Sequence, residues 1–291
     1  MSSILTNNSA MVALQTLKSV NSNLAKTQDM ISTGKSVATA KDNSAIFAIS
    51  KIMESDVAGF KAVSDSLSLG ESTVAVASAG AEQITNLLNQ VKQKVVAATG
   101  GNVDHTKLTD DVNSLKEQIG SIIRGSQFNG SNLLDTAGSD LAVLSSIDRD
   151  SSNAVTSSTI TVKSVDLEAG LLGGATAVAA NAPITAADIL GDVDVSSAAA
   201  AATSVAALEV HIQTAVDAAA QLGASGKRLS DQSGFVGKVT DAIKSGIGAL
   251  VDTDLEEASA RLQALQVQQQ LATQSLSIAN QAPQSILALF R

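Results

Sequence analysis

The chain has 291 residues, a net charge of −9, 44% hydrophobic residues and only 2% aromatics, with no Trp, Tyr or Cys. Without cysteine there is neither disulfide nor thiolate chemistry, and an acidic balance opposes nucleic acid, whose binding rests on basic patches. Two prolines in the whole chain, Pro183 and Pro283, favour long helices with aliphatic seams over an aromatic-rich globular core.

The first predicted helix carries Leu17, Leu24 and Ile31 at seven-residue spacing, with Leu14 and Val20 on the same side, and stops at Gly34. The start reads MSSILTNNSAMVALQTLKSV, without the basic start, apolar run and cleavage site of a secretory signal. The second segment keeps one alternating three- and four-residue register from Ile46 through Phe60, Leu67, Ile84 and Val91 to Ala98. Asp42 or Asn43 can cap its start, and Gly100-Gly101 ends it. At 1.5 Å per residue such a rod is roughly 80 Å long, and it needs partners along its seam. A third, shorter helix carries Leu108, Val112, Leu115, Ile119 and Ile122, and ends near Gly125.

The character then changes. Asn129-Gly130 is a turn signal. Leu141–Leu144 and Ser158–Val165 read as short strands, the second alternating with period two. From Ala169 to Thr203 the chain is rich in Ala, Gly, Val and Ser, and its alanine run belongs either to the next helix or to a small exposed lobe. Helical spacing resumes at Val205, Leu208 and Ile212 and continues to Leu250, weakened by the glycines between Gly223 and Gly237. In the last segment Leu255, Leu262 and Leu276 form one seven-residue series, and Ala258, Leu265, Ala272, Ala279 and Ile286 the other. Together these are the two seam positions of a coiled coil. No charged side chain occurs from Leu262 to Phe290, but the many amides there oppose a membrane span.

Chemistry has little purchase. His105 and His211 stand outside any zinc-binding frame and read as solvated surface residues. Asp252, Asp254, Glu256 and Glu257 read as a helix start, with Asp254 as its cap, and lack the Gly and terminal Glu of a calcium loop. No phosphate-binding glycine loop appears. The pattern predicts a mostly α protein: a long antiparallel helical bundle with paired termini and a small central insert bearing a β-hairpin. No catalytic residue, cofactor or metal is expected.

Three separated stretches carry a likeness. Ile31-Ser-Thr-Gly34-Lys followed by Ala40-Lys-Asp42-Asn-Ser-Ala45 resembles the flagellin N-terminal signature. Ser126-Gln-Phe128-Asn-Gly130 with Leu133-Leu134 is similar to the motif after the short core helix of that family. Ala279-Asn-Gln-Ala-Pro283 through Arg291 resembles its C-terminus, in the alphaproteobacterial manner with a short outer domain.

The resemblance implies a subunit of the extracellular bacterial flagellar filament, a helical homopolymer for swimming, and not an enzyme. Its partners would be further copies of itself, other flagellins, the hook–filament junction and cap proteins and an export chaperone, with no nucleic acid and no membrane. Export would run unfolded through the flagellar type III channel, which suits the absent signal and the absent cysteine. A hook–filament junction protein of the same helical family is the alternative. The implied parts are an inner-core coiled coil (1–40 with 256–291), an outer-tube domain (41–165 with 204–255) and a short outer lobe (166–203). Leu17, Leu24, Ile31, Leu255, Leu262, Leu265, Leu276 and Ile286 would line the inter-subunit seam. Many flagellins present an Arg, a Leu four residues later and a Glu on the next helix to an innate immune receptor. Gln90, Lys94 and Gln118 stand at those positions here.

Overall fold

The computed structural model describes residues 7–135, 138–150, 152, 154–173 and 184–289, with side chains as far as residue 281. Its elements in chain order are α1 (Asn8–Thr33), α2 (Ser44–Ala98), α3 (His105–Gly125), β1 (Gln127–Phe128), β2 (Ser131–Asn132), β3 (Leu141–Arg149), β4 (Val155–Val162), α4 (Leu167–Gly170), α5 (Ala198–Val251) and α6 (Leu255–Leu289). By their internal contacts they form two compact units, Met1–Val57 with Asp241–Arg291, and Ala58–Thr240. The expected inner-core segments, 1–40 and 256–291, both fall within the first unit.

Local chemistry sets most helix ends. Asn7 caps α1 by accepting the Ala10 N–H (3.0 Å). Gly34, at φ 69°, closes it in the left-handed conformation that glycine adopts without steric cost. Of the two candidate caps for α2, Asn43 serves: its side-chain oxygen accepts from the Ala45 and Ile46 N–H groups (both 3.2 Å). Asp42 instead folds back onto Thr39. Asp104 caps α3 and Asp254 caps α6.

The alanine run joins α5, with Ser197 accepting the Ala200 N–H at its start. That helix runs unbroken through Gly223, Gly226, Gly234 and Gly237, where the sequence predicts weakness. At Gly226 the backbone passes close to Val74, which a Cβ would meet at an ordinary van der Waals distance of 3.4 Å, and the neighbouring Leu222, Leu229 and Val236 are buried. Tertiary packing of this face outweighs a cost of about 1 kcal/mol per glycine.

The second unit holds the hydrophobic core. Leu67, Ile84, Leu88 and Val91 of α2, Ile119 and Ile123 of α3, and Leu208 and Leu222 of α5 all reach zero exposure. Strands β3 and β4 pair antiparallel from Leu141↔Val162 to Arg149↔Val155, with an irregularity between Leu144 and Ser146. The hairpin is thus longer than the two short strands expected from sequence, and β4 begins and ends three residues earlier. Gly70 admits it: a Cβ there would meet the Val143 side chain at 2.6 Å. Strands β1 and β2 form a minimal hairpin over Asn129 and Gly130, both at positive φ (50° and 80°), the geometry an Asn-Gly turn supplies.

Candidate functional site

In the first unit α1 packs antiparallel against α6. The contact line on α1 follows Ala13, Leu17, Val20, Leu24, Thr27 and Ile31, with Val20 and Thr27 buried and the others half-buried. On α6 it follows Ala258, Leu262, Leu265, Gln269, Ala272, Leu276 and Ala279, with Ala258 and Leu265 buried. Both lines alternate by three and four residues, the spacing that keeps one helix face on its partner. Leu17, Leu24, Ile31, Leu262, Leu265 and Leu276 therefore meet on one helix pair within a single chain. Leu255 stands apart from the packed line, 52% exposed at the first turn of α6. Ile286 lies beyond the described side chains.

Polar groups fix the register. Asn7 donates its amide to the Ala279 carbonyl (2.7 Å), and Gln269 donates to the Asn21 side-chain oxygen (2.7 Å). Thr27, a seam member that hydrophobic spacing alone overlooks, satisfies its hydroxyl on the Asn23 carbonyl. Its place seven residues after Val20 was the available signal. Where the two helices join the rest of the unit, their flanking loops clasp. Ser36 N–H donates to the Val251 carbonyl (2.7 Å) and Thr253 N–H to the Gly34 carbonyl (3.0 Å).

In the second unit, Gln90, Lys94 and Gln118 come together around one open groove between α2 and α3, with Asp111 and Leu115. Lys94 is tied to Asp111 by an ion pair (2.6 Å), so its charge is both hydrated and partnered.

Three polar anchors, two of them buried, went unseen in the sequence. Lys116 is buried and donates to the Leu190 and Val193 carbonyls (2.8 and 2.9 Å). Burial lowers its pKa, while Asp192 and Asp194 pull it back up. His211 is not the solvated residue expected: it is 5% exposed and its Nε2 meets the Asp192 carboxylate (2.8 Å). Arg124 bridges Asp135 (2.6 Å) and Glu168 (3.1 Å), the latter fully buried. These groups hold Asp135, α4 and the irregular stretch 190–193 onto α3 and α5, supplying hydrogen bonds that regular structure does not. They are structural anchors. Among the described residues no group of three or more His, Cys, Asp or Glu could hold a metal ion. Nor is any helix among them long and apolar enough to cross a membrane.

The family model for the bacterial flagellin N-terminal helical region matches residues 4–139, and that for the C-terminal helical region matches residues 205–290. Flagellin FljM of Caulobacter vibrioides is 39% identical over 294 residues, covering 100% of this chain and 99% of its own length. A flagellin of Brucella melitensis is 39% identical over 295 residues, covering 100% of both chains. Flagellin C of Rhizobium meliloti is 37% identical over 320 residues, again covering 100% of both.

Proposed function

The chain belongs to the bacterial flagellin family and is a structural subunit of the flagellar filament, and from that premise we propose that its terminal helix pair is the part that orders on assembly. The full-length relatives carry flagellin names, so the hook–filament junction reading is not favoured. The family is a structural one, and its filament is extracellular and serves motility.

The observation that carries the proposal is the thinness of the α1–α6 seam. Among the described residues only four of its members, Val20, Thr27, Ala258 and Leu265, are buried in the single chain. A helix pair with so little buried surface is marginal in water, and a polymer supplies the missing partners. On this reading residues 1–40 and 256–291 form the inner core of the filament, 41–165 with 204–255 the outer tube, and 166–203 a short outer lobe. Leu17, Leu24, Ile31, Leu262, Leu265 and Leu276 hold the pair together. Export unfolded through the type III channel, delivery by a chaperone and capping by hook–filament junction and cap proteins complete the scheme.

Seeded polymerisation of the purified chain, viewed by negative-stain electron microscopy, tests it. Helical filaments are expected; monomers that never elongate seeds would contradict it.

The groove at Gln90, Lys94 and Gln118 supports a second element of the proposal: weak stimulation of the innate immune receptor that reads this region in many flagellins. A Gln offers no charged fork, and a hydrated Lys resists burial where Leu would pack. Losing one interface anchor commonly costs about 2 kcal/mol or more. A reporter-cell assay with purified monomer should show a feeble response; one equal to that of an enterobacterial flagellin would refute it.

A further inference from the structure

Residues 190–195 form an irregular strap laid against α3 and α5. The chain contains two histidines, and both grip this strap. His105, at the start of α3, donates from Nδ1 to the Val195 carbonyl (3.0 Å). His211 of α5 turns Nε2 towards both oxygens of Asp192 (2.8 and 3.1 Å). The buried Lys116 ammonium holds the Leu190 and Val193 carbonyls. Gly173 closes over the same carboxylate, where a Cβ would meet Asp192 Oδ1 at 2.1 Å. The strap is also strained. Leu190 is fully buried at φ 53°, a left-handed conformation that a leucine keeps only where its surroundings impose it.

We propose that Asp192 is the latch of a proton-sensitive strap: its carboxylate is the shared counter-ion of Lys116 and His211, and a proton taken up there releases residues 190–195 while the helical core stays closed. The inference concerns the single chain and does not rest on its assembly. Charge balance carries it. The groups around Asp192 are His211 from α5, Lys116 from α3 and, on the strap itself, Asp194. Burial lowers the pKa of Lys116, and the charges of Asp192 and Asp194 oppose that shift. A lysine so depressed sheds its proton only as pH rises, so in acid the ammonium stays charged and needs its counter-ion. Hydrogen bonds from Ser196 lower the pKa of Asp194. Stability from that carboxylate is present above its unfolded value and lost as pH falls through the folded one. Both signs run the same way, and acid weakens the strap. Asp192 is the member that solvent reaches: its side chain is 37% exposed, against 7% for His211. Once that carboxyl is neutral, Lys116 loses a counter-charge in a buried place. His211, whose Nδ1 has no hydrogen-bond partner among the described residues, loses the charged acceptor of its other nitrogen. The strain at Leu190 then favours opening.

Hydrogen exchange on the purified full chain, read by mass spectrometry, tests this, with Asp192→Asn standing in for the neutral carboxyl. Protection is measured against the unfolded chain at each pH. At neutral pH the variant is expected to lose at least about tenfold of the protection of residues 189–197, with residues 84–95 of α2 unchanged. In the wild type the same loss should appear as pH falls towards about 4, and the variant should lack most of that pH dependence. A variant that protects the strap as well as the wild type at neutral pH would overturn the proposal. So would full wild-type acid dependence in the variant, because another group would then hold the latch. Parallel loss in residues 84–95 would overturn it too, since the strap would not be opening by itself.

Discussion

The two units use the same spacing of apolar residues and reach different depths of burial. Along α2 in the second unit, Val63, Leu67, Ile84, Leu88, Val91 and Val95 are at zero exposure, covered by α3, α5 and the hairpin. Along α1 in the first unit, Leu17, Leu24 and Ile31 hold equivalent seam positions against α6 and remain half-exposed. Heptad spacing thus states which face is apolar, and the number of neighbours decides how much stability that face yields. The second unit closes its core within one chain. The terminal pair keeps much of its apolar surface open to solvent, as a polymer-forming segment requires.

The sharpest way to break this contrast is Leu265→Asp. A charge at this buried seam position of α6 costs several kcal/mol, which the thin seam cannot absorb. The variant should be exported and leave the melting of the second unit unchanged, yet build no filaments; normal filaments on cells would show that the seam is wrongly placed.

Next in size is Arg124→Ala, which removes the ion pairs to the buried Glu168 and Asp135. Removing one side of such a cluster costs about 3–5 kcal/mol, read as a lower urea midpoint. The exposed Lys227–Asp231 pair on α5 should cost less than about 1 kcal/mol when broken. Equal losses would mean that burial is not what separates the two.

Leu88→Ala and Leu276→Ala compare the units directly. The first empties a fully buried core position and should cost about 2–5 kcal/mol; the second removes a half-buried side chain and should cost the monomer about 1 kcal/mol or less. The same substitution at 276 should raise the critical concentration for assembly, where the pair is in use.

The smallest effect concerns pH. Hydrogen bonds from Thr185 hold the Asp188 carboxyl below the ordinary 3.8, and those from Ser196 do the same for Asp194. A depressed carboxylate pKa contributes stability that is present above the unfolded value and lost as pH falls through the folded one. Amides around 185–196 should therefore lose hydrogen-exchange protection below about pH 4, before the α2 core does. Simultaneous loss would show that this stretch is no weaker than the core.

Much of this was legible in the residues. The helices, the Asn129-Gly130 turn, the Asp254 cap and the α1–α6 seam all follow from spacing and capping chemistry, which are local. What escaped was set by distant partners. Gly223 to Gly237 read as a weakness because the packing of that face is not visible in the propensity of α5. His211 read as a surface residue because its partner, Asp192, lies nineteen residues away in an irregular stretch. Lys116 sits in helical spacing like any exposed lysine, and only the fold brings the Leu190 and Val193 carbonyls to it. Leu255 continues the seven-residue series into the first turn of α6 yet stands 52% exposed, because the packed line begins at Ala258.

The claim that the terminal pair depends on the polymer while the second unit does not is tested most directly by limited proteolysis of monomer and filament in parallel. The account predicts rapid trimming of residues 1–40 and 256–291 in the monomer, a resistant fragment containing α2, α3 and α5, and protection of both ends in the filament. Equal resistance of the ends in both states would contradict it.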